Sequence, residues 1–259
     1  MDNIISFEDN LFLGYKTTIQ NLLSQNKHLS ENHKSMIGDS IINIIAIFVK
    51  ENSGYGIDAN INNFSEIIQN IKLEVIKEDI PDMINYNKEE NKITMKCTND
   101  EKVLLDYFKI LIQIITQRYD NETKRVENGL IYRNFNGEEY GTELNNVITS
   151  RIATLVSGIE DPKMKELYYD DPTGITLKDI MISNLIDVLG FENLISNFVN
   201  ANGSEIFLQI SEMLGSMSAA KDFYNTIDHY DEDRIENRKK YNKYMSILNE
   251  NKLNNTPTL

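Results

Sequence analysis

Residues 100–118 read DEKVLLDYFKILIQIITQR. Apolar side chains recur here at helical spacing, and two acidic residues open the run where a helix dipole favours negative charge. The spacing predicts a helix over Asn99–Gln117, capped by Thr98 or Asn99, with no polar group on its inner face. The segment before it, NKITMKC (Asn91–Cys97), has the composition of a strand. A strand leading into a strongly apolar helix makes this the pivot of the fold.

Upstream, the chain reads as helical. Phe7–Leu23 is one helix, and Ser30 caps a second that runs to Glu51 with Met36, Ile37, Ile41, Ile42, Ile44, Ile45 and Phe48 on its apolar face. Gly54–Gly56 breaks it. Phe64–Ile71 reads as a short helix and Lys72–Asp79 as a strand alternating through Leu73 and Val75. Met83–Tyr86 and Lys92–Cys97 flank a Lys88–Asn91 turn as a hairpin. Downstream comes a loop over Asn121–Tyr140, containing Gly129 and Gly137, then a helix over Gly141–Val156. Glu160–Lys163 and Tyr169–Gly174 read as turns. Helices follow at Leu177–Leu189, Glu192–Asn200 and Ser204–Leu214, then one long charged helix over Ala219–Asn249 and ten frayed residues. The expected fold is α+β, mostly α-helical, with a small antiparallel sheet. Three segments, 1–56, 57–215 and 216–259, are expected to form one compact unit.

Composition narrows the function. The 259 residues are 41% hydrophobic, enough for a real core, and carry a net charge of −14. That charge argues against a nucleic-acid-binding surface and against an anionic membrane surface, both of which need clustered Lys and Arg. The longest apolar run, Ile41–Val49, is too short to span a bilayer. The opening MDNIISFEDN has neither the basic nor the apolar region of a secretory signal, so a cytoplasmic protein is expected. The single cysteine, Cys97, excludes an intrachain disulfide and is expected to be buried and structural.

Several stretches invite a chemical reading. His28 and His33 are five apart, the wrong spacing for one helix face. His229 lies among Asp228, Asp231, Glu232 and Asp233, a run that reads as a solvated helix face before it reads as a metal site. DANINNFSEIIQ (Asp58–Gln69) has Asp58, Asn60 and Asn62 at calcium-loop spacing, but Asn63 stands at the turn glycine and Gln69 at the bidentate glutamate. Ser204 and Ser211 have no nearby base in sequence. No phosphate-binding glycine motif occurs.

The order of strand, helix, loop, YGTELNNVITSRI (Tyr140–Ile152) and DVLGFENLISNFVNANGSEIFLQI (Asp187–Ile210) resembles a group of bacterial zincin-like metallopeptidases. The resemblance spans roughly Ile67–Leu214 and rests on order and spacing. It implies a zincin-like helical body in which two histidines one helical turn apart bind zinc beside a glutamate that activates water. Here those slots fall on Ile110, Leu111 and Ile114, and the third-ligand slot falls on Asn146. No histidine lies between His33 and His229, so a shift of register restores nothing. The resemblance therefore implies a catalytically inactive relative, with no metal and no cofactor, acting on a protein or peptide partner. An ordinary amphipathic core helix would show the same residues.

Two other readings stand beside it. One is a hydrolase with carboxylates near Glu138, Glu139 and Glu143, in a cleft lined by Arg133, Asn134, Tyr140 and Glu143. The other is a structural helical protein that forms a homodimer through its last helix. There, Ile235, Tyr241, Tyr244, Met245 and Leu248 make an apolar stripe that packs on the body or on a second chain.

Overall fold

The computed structural model describes residues 7–52, 57–77, 83–98, 100–120, 125–159 and 178–255. Gly54–Gly56, the two proline turns at 160–163 and 169–174, and residues 256–259 lie outside the described residues. The chain divides into two units, Met1–Arg118 with Thr149–Asp161, and Tyr119–Ile148 with Pro162–Leu259. These bounds differ from the three segments read from the sequence. The first 56 residues share a unit with the strands, and the last 44 share one with the helices before them. Long-range packing, which no local pattern reports, sets them.

The first unit begins with α1 (Phe7–Ser24), α2 (Glu31–Asn52) and α3 (Ile57–Asn70), in which α1 packs on both α2 and α3. Ser30 caps α2 as expected, its hydroxyl accepting the His33 amide at 3.3 Å. The helix α3 starts earlier than the predicted Phe64. It takes in the DANINN stretch, so those residues form a helix and not a calcium loop.

Three strands follow: β1 (Lys72–Ile76), β2 (Ile84–Asn87) and β3 (Lys92–Lys96), in the order β1-β3-β2. The hairpin β2–β3 is antiparallel, and β1 joins β3 in parallel, which makes the small sheet mixed. Asn91 closes the turn in the left-handed region at φ 49°, where asparagine is better tolerated than most residues. Its side chain donates to the Ile67 carbonyl at 2.7 Å and accepts the Tyr86 hydroxyl at 3.0 Å. Cys97, expected in the core, is exposed: it follows the last residue of β3, where the sheet has ended.

The segment that opened the reading is α4 (Glu101–Ile115). Its cap is Asp100, one residue beyond the expected pair, accepting the Lys102 amide at 2.9 Å. Val103, Leu105, Tyr107, Phe108, Leu111, Ile112, Ile114 and Ile115 are buried, and the helix packs on α2, α3 and β2. Tyr107 puts a hydroxyl on the inner face that was expected to carry no polar group, and burial pushes it up to about 12. Thr116 ends the helix by returning both its amide and its hydroxyl to the Ile112 carbonyl.

The second unit contains β5 (Arg125–Asn128), β6 (Tyr132–Arg133) and β7 (Glu139–Tyr140), where a loop was expected. The strand before them, β4 (Gln117–Asp120), pairs with β5, and β6 pairs with β7. Strands of two to four residues are too short to show an alternation in sequence. Helix α5 (Thr142–Ser157) gives its first half to this unit and its second half to the other. Next come α6 (Lys178–Leu189), α7 (Phe191–Val199) and α8 (Gly203–Leu214), close to their predicted bounds. Gly203 is required where it stands: a Cβ there would lie 2.5 Å from the Ile131 carbonyl oxygen.

The expected long C-terminal helix is two helices, α9 (Met217–Asp228) and α10 (Arg234–Asn255), separated by a 3-10 turn at Tyr230–Glu232. Asp233 is the cause. Its carboxylate accepts the Glu236 amide at 3.1 Å and caps α10, while Asn237 donates to the carbonyls of His229 and Tyr230. The stripe on α10 packs on α6, α8 and α9: Tyr241, Met245 and Leu248 are buried, Tyr244 is half-buried, and only Ile235 is exposed. No helix among the described residues is long and apolar enough to cross a membrane.

Between α1 and α2, Asn26 is 1% exposed. Its amide donates to Ile68 and Ile71 carbonyls at 2.9 and 3.0 Å and its oxygen accepts the His28 and Leu29 amides. Asn26→Ala strands these groups in the interior and is expected to destabilise the protein by about 3 kcal/mol in chemical denaturation. A change of only a few tenths would mean that water reaches them.

Candidate functional site

The residues expected at the site fall into different parts of the structure. Ile110, Leu111 and Ile114 belong to the first unit and Asn146 to the second. Leu111 and Ile114 are fully buried, Ile110 is half-buried, and Asn146 is exposed on α5. None of the first three offers a donor atom to a cation. Among the described residues, no group of three or more His, Cys, Asp or Glu is placed to hold a metal.

The suggested cleft residues converge on the β6–β7 hairpin, where most of their polar groups serve the turn. Arg133 forms an ion pair with Glu139 across the strands, its Nε donating at 3.0 Å. Asn134 is buried and organises the turn. Its oxygen accepts the Asn136 and Glu138 amides at 2.9 and 3.0 Å, and its amide donates to the Glu138 carboxylate. Tyr140 adds its hydroxyl to the same carboxylate at 3.0 Å. The asparagine and tyrosine donors hold the Glu138 carboxyl below the usual glutamate range. Lys221 sits over the Tyr140 ring at 5.6 Å. Behind the hairpin, Tyr132 stacks on Phe207 at 4.2 Å, and Phe207 stacks on Tyr224 at 5.7 Å. At the tip, Phe135 is 96% exposed.

Glu143 marks a second centre. Its backbone amide donates to Asp228 Oδ1 and that of Gly141 to Oδ2, each at 2.9 Å. Asp228 ends α9 and caps α5 from 85 or more residues away. Gly141 is at φ +84°, and a Cβ on it would press on the Tyr224 ring. Burial pushes the Asp228 carboxyl up, and the amides of Glu143, Gly141 and Thr142 pull it part of the way back. The acidic run around His229 is therefore two helix caps, Asp228 and Asp233, with Asp231 paired to Arg234 at 3.1 Å.

Of the remaining residues considered, His28 is exposed, His33 is half-buried, Ser204 is exposed and Ser211 is buried. Neither Phe135 nor the role of Asp228 was visible in the sequence. The tip residue lies in the turn between two strands too short to recognise, and the cap joins positions far apart. The fragment Asn136–Gly137 was the available signal, a dipeptide that favours tight turns.

No family model, curated protein or solved structure matches the chain.

The two carboxylates should titrate in opposite directions from their ordinary values. Glu138, with a lowered pKa, supports the fold above the ordinary glutamate value and loses that contribution as pH falls through its own. Asp228, with a raised pKa, favours the fold most below the ordinary aspartate value and loses that contribution as pH rises through its own. Carboxyl-carbon NMR across an acid titration reads both midpoints. Asp228→Ala removes the α5 cap and is expected to cost about 1–2 kcal/mol at neutral pH.

Proposed function

We propose that the chain is a catalytically inactive, metallopeptidase-like protein that acts by binding a protein or peptide partner. The observation that carries the reading is Phe135, a large aromatic side chain 96% exposed at the tip of a hairpin. The turn beneath it is held by Asn134, Glu138, Tyr140 and the Arg133–Glu139 pair. A rigid support reduces the entropy lost when an exposed aromatic enters a partner's pocket. The aliphatic side chains of Ile110, Leu111 and Ile114 support the absence of zinc chemistry on α4.

Purification without an affinity tag, followed by elemental mass spectrometry and a peptidase assay, tests the catalytic half. One zinc per chain, or metal-dependent cleavage of a protein substrate, would sink it. The binding half is tested with a photoreactive phenylalanine at position 135 in the native cell. Once the crosslinked protein is purified, Phe135→Ala should weaken its binding roughly 10- to 100-fold, the effect of losing one buried aromatic anchor. Binding unchanged by that substitution would remove the hairpin from the interaction.

A further inference from the structure

Asn128, Asn136 and Asn202 each precede a glycine. Such a pair has a chemistry of its own, because glycine has no side chain to shield its amide nitrogen from the asparagine before it. The structure sets the three pairs apart. Gly129 and Gly203 are buried. A Cβ on Gly129 would collide with Asn145 Oδ1 and the Phe198 ring, and one on Gly203 would meet the Leu130–Ile131 backbone. Asn136 and Gly137 are both exposed in the β6–β7 turn, and a Cβ on Gly137 would have nothing within 4 Å. Among the described residues the Asn136 side chain makes no hydrogen bond; only its backbone amide is held, by Asn134 Oδ1 at 2.9 Å.

We propose that Asn136 is a site of spontaneous deamidation that loosens the turn carrying Phe135. The Gly137 amide nitrogen attacks the side-chain carbonyl carbon of Asn136. A carbon–nitrogen bond forms, the side-chain nitrogen leaves as ammonia with the amide proton relayed through water, and a succinimide ring results. Water then opens the ring at either carbonyl, giving aspartate or isoaspartate. The net exchange is one ammonia lost for one water gained, with no oxidant, reductant or cofactor. The turn must open for the attack, since the Gly137 amide donates to the Asn134 carbonyl at 3.0 Å. That bond lies at an exposed loop tip, where local opening costs far less than unfolding. The product matters because Asn134 Oδ1 accepts the amides of both Asn136 and Glu138. Isoaspartate inserts an extra main-chain carbon between those amides, so one oxygen no longer meets both. Phe135 then loses its rigid seat. The effect on a partner rests on the binding reading above; the reaction itself does not.

The full chain is held at mildly alkaline pH, native and in denaturant. Samples are digested at acid pH and read by tandem mass spectrometry that separates aspartate from isoaspartate. In the native chain, conversion at Asn136 should run roughly tenfold or more ahead of Asn128 and Asn202, whose glycines are released only by larger openings. In denaturant the three should react at similar rates, because each is followed by glycine. Asn136→Gln should abolish the early product. Amide hydrogen exchange followed by NMR reads the turn. The Glu138 amide should lose protection in the isoaspartate form and keep it in Asn136→Asp, which adds the charge without the extra carbon. Three results overturn the proposal: Asn136 intact in the native chain while the denatured chain converts, Asn128 or Asn202 keeping pace with it, or an isoaspartate form whose Glu138 amide stays protected.

Discussion

The amides at the start of α5 have no helical carbonyl to meet, and the Asp228 carboxylate accepts those of Gly141 and Glu143. Much of the second unit is organised around this one contact. It fixes the end of α9 at the start of α5. Gly141 turns there at a positive φ, and the Tyr224 ring lies close against that glycine. From Tyr224 the packing runs through Phe207 to Tyr132, at the base of the hairpin that carries Phe135. A cap from a neighbouring residue would satisfy the amides equally well. A cap from α9 ties two distant parts of the chain together with the same hydrogen bonds.

Asparagine does comparable work elsewhere. Asn26 joins the α1–α2 connection to the end of α3, and Asn91 joins the hairpin turn to Ile67. Asn134 closes the β6–β7 turn, and Asn145 accepts the Leu130 amide from within α5. Each side chain offers a donor pair and an acceptor together, which suits irregular backbone where amides and carbonyls of different segments meet. In composition these residues look like loop polarity. In the structure, Asn26, Asn134 and Asn145 are buried.

Where burial follows a local period, the sequence could be read. The eight buried residues of α4, the antiparallel β2–β3 hairpin, and α6 to α8 follow from spacing and turn residues. Features that depend on long-range pairing were not legible. The parallel docking of β1, the α5 cap and the two-residue strands leave no periodic trace. The break before α10 is an intermediate case. Asp233 and Glu236 have the spacing of a helix start, but within a run of charges they read equally well as a continuous solvated face. For the candidate site, the sequence offered Asn134 and Tyr140 as cleft lining, and in the structure both donate to the Glu138 carboxylate across a turn, with Phe135 left at its tip.

Neither unit is continuous in the sequence. The first is interrupted after Arg118 and resumes only at Thr149, and the second begins inside that gap. During synthesis, the first unit cannot be complete until the second half of α5 has left the ribosome. By then the hairpin and the first half of α5 already belong to a unit whose remaining helices have not been made. The Asp228 cap arrives later still, near the end of the chain. The two units must therefore mature in an interleaved order, and no single cut in the chain yields either of them whole and by itself.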